Sequence, residues 1–146
     1  VVLDVEFEKL IHEVLDPVGD LFIQNLDKML EEVVQEGNSD AAIYIGVARE
    51  HGLKAEVYAN IMIGRKDDSY TEKVHHEFDE VHAALKALGP TLRTSAEKQL
   101  FTTLNEEFET LLAGQTALGR VGEAGEVGGV IAALLSDRSR WINACM

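Results

Sequence analysis

Cysteine, proline, aromatic and basic residues are all scarce in this chain of 146 residues. The single cysteine, Cys145, excludes an internal disulfide and a cysteine-ligated zinc site. It fits a reducing compartment and a disulfide-free bacterial periplasmic domain equally well. Two prolines and an aromatic content of 6% argue against a sandwich or barrel, which need many turns. Lys and Arg number 13 against 26 Asp and Glu, a net charge of -13. Nucleic acid is thereby excluded as a partner, because phosphate contacts need a basic surface, and anionic membrane surfaces are disfavoured for the same reason. A run of about 18 apolar residues is also missing, so no membrane span is expected within the sequence. The chain opens on Val1 and closes on "WINACM". We expect a domain of a larger, membrane-anchored protein.

What is present is helical periodicity over a 46% hydrophobic composition. From Asp4 to Glu36, Phe7, Ile11, Val14, Val18 and Leu21 are followed by Leu26, Met29, Leu30 and Val33 at three-and-four spacing. "LDPVGD" interrupts this segment: Asp16 can cap a helix with Pro17 at its first position, or one long helix kinks there. Gly37 ends the segment. A second helix is expected from about Asp40 to Ile63. Ala41, Tyr44, Ala48, His51, Ala55, Tyr58 and Met62 form its heptad seam, and Ile43, Val47, Val57 and Ile61 form a second apolar row. A helix apolar on two sides is expected to face more than one neighbour. A third helix follows an S-x-x-E capping box at Ser69 and Glu72, carries the stripe Tyr70, Val74, Phe78, Val81, Leu85 and Leu88, and stops at Gly89-Pro90. A fourth opens on a second capping box, Thr94 and Glu97. It continues through a glycine series from Gly114 to Gly129 towards Trp141. The expected fold is all-α: one antiparallel four-helix bundle over residues 1–146, with long first and last helices.

The candidate sites are few. His75, Asp79 and His82 stand at i, i+4 and i+7 on one side of the third helix, a spacing that can hold a divalent metal. A solvated flank beside the apolar stripe is the simpler reading, since no E-x-x-H pair recurs on two helices. His51 sits on the seam between Tyr44 and Tyr58, where a polar pocket for a small ligand competes with a hydrogen-bonded core histidine. Arg49 and Arg65 can clamp a carboxylate or pair with the surplus acids. We therefore name Tyr44, His51, Tyr58, Arg49 and Arg65 as candidate ligand-binding residues, with the His75, Asp79 and His82 metal site as an alternative. The glycines at 122, 125 and 128 match no phosphate-loop pattern. No catalytic constellation stands out, so neither an enzyme nor a cofactor is expected.

Val14, Leu15, Asp16 and Gly19, then Ala41, Ala42, Gly46, Ala48, Glu50 and Tyr58, lie in a pattern that resembles a known family. It is the periplasmic sensor region of bacterial methyl-accepting chemotaxis receptors of the helical bimodular type. The resemblance spans roughly Glu13 to Leu88 and extends more loosely to Asn143. It implies the ligand-binding domain of an inner-membrane receptor, facing the periplasm and working as a homodimer. Such a domain binds a small molecule, directly or through a periplasmic binding protein, and biases a cytoplasmic kinase by small helix shifts. The sensor region of a histidine kinase or cyclic-dinucleotide enzyme shares the same bundle. Two positions depart from the pattern. Glu56 stands where family members often carry Arg, and Asp20 stands in place of Pro. With the net charge, Glu56 favours an amine, a neutral aromatic or a metal ion over a carboxylate ligand.

Overall fold

The computed structural model describes residue 9, residues 11–65 and residues 67–119. The described residues are all-helical, with four α-helices and no strand among them. A π-helical turn over Ile11–Leu15 leads into α1 (Asp16–Gln35), followed by α2 (Ser39–Arg65), α3 (Thr71–Leu88) and α4 (Ser95–Gly119). Short 3-10 turns, Asp68–Tyr70 and Gly89–Thr91, precede and follow α3. The chain divides into two compact units: residues 22–105, and residues 1–21 with 106–146. Among the described residues, no helix is long and apolar enough to cross a membrane.

The "LDPVGD" interruption resolves into a continuous helical path. Pro17 has no N–H to offer the preceding turn, and its ring crowds the carbonyl there. The turn before it widens to π geometry, which leaves room for that mismatch. Asp16 thus sits inside a helix already under way and does not separate two helices.

The unit spanning residues 22–105 is built from two helical hairpins. Between α1 and α2 the chain turns in three residues. Gly37 adopts the left-handed conformation at φ 69°. Asn38 N–H donates to the Val33 carbonyl at 2.8 Å and Gly37 N–H to the Val34 carbonyl at 3.1 Å. This pair of bonds is the Schellman motif, in which glycine carries the left-handed residue without a Cβ penalty. Asn38 then starts α2. Its Oδ1 accepts from Ala41 N–H at 3.3 Å, and its Nδ2 donates across the unit to the Thr91 carbonyl at 2.8 Å. Asn38 is fully buried.

Contacts between α1 and α2 run in opposite directions along the two helices. Arg49 pairs with Asp27 at 2.7 Å, and Gly52 faces Phe22 and Ile23. A Cβ on Gly52 would stand 3.4 Å from Ile23 Cδ1, so this glycine sits at ordinary packing distance. Between α2 and α3, the most extensive helix pair described, His51 meets Glu77 and Met62 meets Thr71. Leu26, Met29, Val33, Ala41, Ile45, Ala48, Val74, Val81, Leu88 and Leu104 form the core. Each apolar side chain of this size contributes about 1.5–3 kcal/mol on burial.

The small seam residues of α2 are buried, as their spacing predicts, but its second apolar row is not. Ile43 is 62% exposed and Val57 54%. They lie on the side of α2 turned away from both the α1 and the α3 contacts, so no described element of this unit covers them. In the other unit, Ile11, Val14, Val18 and Phe108 are buried. Helix α4 runs through Gly114 without a break. A Cβ there would overlap the Leu15 side chain, so this first glycine of the series serves close approach. The glycines beyond Gly119, Trp141 and Cys145 lie outside the described residues.

The two sequence-predicted capping boxes part company. At Ser69 and Glu72 the box does not form. Asp67 takes the Ser69 N–H at 3.0 Å and folds residues 68–70 into a 3-10 turn, so Tyr70 becomes the residue before α3. The Asx turn takes the N–H that the Glu72 carboxylate would accept in a capping box. At Thr94 and Glu97 the box is complete. Glu97 N–H donates to Thr94 Oγ1 at 3.1 Å, and Glu97 Oε2 accepts from the N–H groups of Thr94 and Arg93, both at 3.0 Å.

Glu97 is fully buried. Burial pushes its carboxyl pKa up, but the Thr94 and Arg93 bonds and the Arg93 charge outweigh that and hold it below the usual value. A carboxyl depressed in the folded state contributes stability that is fully present above its unfolded-state pKa and lost as pH falls through the folded one. Glu97→Gln is therefore expected to flatten the acid limb of a urea-midpoint-against-pH curve. At neutral pH it lowers stability by about 1 kcal/mol, as loss of a helix cap does. An acid limb identical to that of the wild type would remove Glu97 as its source.

Candidate functional site

The seam of α2 positions the candidate residues. Tyr44, His51 and Tyr58 recur every seven residues, which returns each to nearly the same helix face about 10 Å further along. They form a row and do not converge on one point. The elements opposite divide that row into clusters.

His51 forms the first. Its Nδ1–H donates to Glu77 Oε2 at 2.5 Å, and its Nε2 lies 3.9 Å from Glu80 Oε2, both acids on α3. The His51 side chain is 19% exposed, that of Glu77 8% and that of Glu80 44%. A buried carboxylate needs such a partner, because an unpaired charge out of water is costly. On the outer side of α2, Lys54 pairs with Glu50 at 3.2 Å. That bond raises the Lys54 pKa, with the Glu77 charge adding to it.

Tyr58 forms the second cluster, two turns short of the α2 end. Its ring centroid lies 6.0 Å from that of Tyr70, with the rings tilted by 42°. The ammonium of Lys73, in the first turn of α3, stands 4.5 Å from the Tyr70 centroid and 5.7 Å from the Tyr58 centroid. Both distances are within cation–π range. Asp67 borders this cluster. Its bonds from Ser69 chiefly hold its carboxyl below the usual range, and the charges of Arg65 and Lys73 assist.

The remaining candidates are dispersed. Tyr44 is half-buried near the start of the row. Arg49 points to α1 and is taken by Asp27. Arg65 is exposed at the last residue of α2, beside the tyrosine cluster in charge if not in contact. His75, Asp79 and His82 are exposed along α3. Among the described residues, no group of three His, Cys, Asp or Glu could hold a metal ion. Three residues that matter here were not among the candidates: Tyr70, which stood out only as the first member of the α3 stripe, and Glu77 and Lys73, which carried no sequence signal of their own. Glu77 is one position before the stripe residue Phe78, and only the placement of His51 opposite it shows why an acid is buried there.

No family model matches the chain, and neither does any curated protein or solved structure.

Proposed function

We propose that this chain is the extracytoplasmic sensing domain of a chemotaxis receptor, an antiparallel four-helix bundle with long first and last helices. It takes a small molecule, or a periplasmic binding protein, and signals by helix shifts in a homodimer anchored in the inner membrane and coupled to a cytoplasmic kinase. The observation that carries this reading is the polar make-up of the α2–α3 seam. His51 with Glu77, and Tyr58 with Tyr70 and Lys73, replace apolar contacts where two helices meet. Under this reading the seam has a second arrangement, and a ligand that contacts one arrangement better shifts the population towards it. The uncovered Ile43 and Val57 offer an apolar surface that supports a partner subunit.

A thermal-shift screen of amines, amino acids, organic acids and aromatics tests direct sensing. A ligand at a hundredfold excess over its Kd stabilises the domain by about 2.7 kcal/mol, a shift of several degrees. A screen without a stabilising compound sinks direct small-molecule sensing. Within the site, His51→Ala is expected to weaken binding of the compound found.

A further inference from the structure

We propose that Tyr58 and Tyr70 form a cation-binding cleft whose resting occupant is the ammonium of Lys73, and that small ammonium ligands, quaternary ones above all, bind by displacing it. This names a ligand class for the seam and rests on the sensing reading above.

The geometry is that of a partial aromatic cage already holding a cation. One nitrogen stands over two ring faces at 4.5 and 5.7 Å, and the two rings are tilted by 42° about it. The rings come from different elements, Tyr58 from α2 and Tyr70 from the 3-10 turn, while Lys73 belongs to α3. Neither ring is fully buried, so an incoming cation has a path to them, and Lys73 itself is exposed and free to swing into water. The electrostatics favour a cation twice over. The chain carries a net charge of -13, and the Asp67 carboxylate at the rim already feels the Lys73 charge.

Lys73 is a weak occupant for physical reasons. Its ammonium is compact and strongly hydrated, and holding it in the cleft freezes a long, rotamer-rich side chain. A quaternary ammonium is larger and less hydrated, has no tether to immobilise, and presents methyl groups to the ring faces. Exchange of occupants has a structural effect. With Lys73 in place the first turn of α3 is tied to the end of α2, and with a free ligand in place that tie is gone. Ligand entry at the hairpin tip thereby changes how the two seam helices are joined.

Tetramethylammonium chloride titrated into the full chain, followed by calorimetry and by ligand-methyl NMR saturation transfer, tests the assignment. Saturable binding is expected. Lys73→Ala tightens it by about two- to fivefold, the factor a lost exposed cation–π competitor gives. Tyr70→Leu abolishes it, and Tyr70→Phe, which keeps the ring face, retains it. Circular dichroism confirms that each variant is folded, and Tyr58→Leu and Tyr58→Phe provide the same comparison on the other ring. Choline is to be compared with 3,3-dimethylbutanol, its neutral isostere. Equal binding of the two, binding indifferent to both leucine variants, or no binding to wild type and Lys73→Ala alike overturns the assignment. If tetramethylammonium is silent while another compound in the screen stabilises the domain, the cage falls and the sensing reading stands. If no compound stabilises even Lys73→Ala, both fall.

Discussion

Asn38→Ala is expected to lower the stability of the domain by about 2–3 kcal/mol. The substitution removes the α2 cap, worth about 0.5–2 kcal/mol. It also strips the half-buried Thr91 carbonyl of the amide donor at 2.8 Å. A fully buried polar group left unsatisfied costs about 1–3 kcal/mol, and a half-buried one sits at the low end of that range. Asn38→Asp separates the two roles. Aspartate caps a helix as well as asparagine does, but it has no amide hydrogen for Thr91. Its loss therefore reports the bond to Thr91 together with the cost of setting a buried carboxylate against that carbonyl, with the cap held constant. Urea unfolding followed by circular dichroism reads both. At a typical slope of about 1–3 kcal/mol per molar, the alanine variant shifts the midpoint by about 1–2 M. If Asn38→Asp is as stable as wild type, the bond to Thr91 carries no net energy.

The second large effect is expected at His51 and Glu77. His51→Ala leaves the Glu77 carboxylate at 8% exposure without its 2.5 Å partner. Removing one member of a buried pair costs about 3–5 kcal/mol. The remaining access to water and the nearby Lys54 charge reduce this to about 2–3 kcal/mol. Glu77→Gln costs less, because the amide oxygen still accepts from Nδ1–H and no charge remains to be left unpaired. The double replacement His51→Leu with Glu77→Leu is expected to recover most of the loss, since apolar residues of similar volume substitute well for a buried polar pair. A double-mutant cycle isolates the coupling, expected at about 1–3 kcal/mol. Strict additivity of the single variants would show that the contact, however short, is energetically idle. A pair worth this much fixes the register of α2 against α3.

How far the sequence foretold this structure depends on the range of the interaction concerned. The T-x-x-E box at Thr94, the glycine turn at Gly37 and the apolar rows of α1 and α3 are local signals, each set by neighbours within about one helical turn. The box and the turn form, and the rows form with two exchanges: Phe22 is buried where the row has Leu21, which is 36% exposed, and Glu77 is buried beside the half-buried Phe78. Ser69 and Glu72 present the same local signal, and it fails because Asp67 lies close enough to claim the Ser69 N–H first. Competition between two local motifs is not visible in either motif alone. The seam of α2 was legible as a face, but not its contents. That Glu77 is buried, that Tyr70 stacks near Tyr58 and that Lys73 covers both depend on the register of α3 against α2. The turn over residues 67–70 sets that register, and periodicity carries no information about it. For the same reason the sequence left Arg49 open between a ligand clamp and pairing with the surplus acids, and Asp27 of α1, 22 residues away, decides for the pairing.

The π turn over Ile11–Leu15 has a mechanical meaning. A π turn holds one residue more than an α turn in nearly the same length, so it stores a residue of slack next to Pro17. Releasing that residue into α geometry would rotate the helical path entering α1 by about 100° and extend it by about 1.5 Å. Proline fixes where the slack is kept, because the hydrogen bond it cannot make is the one that would otherwise draw the turn tight. The entry to α1 is thus geared. A displacement there has a ready outlet as screw motion, at the cost of rearranging one turn.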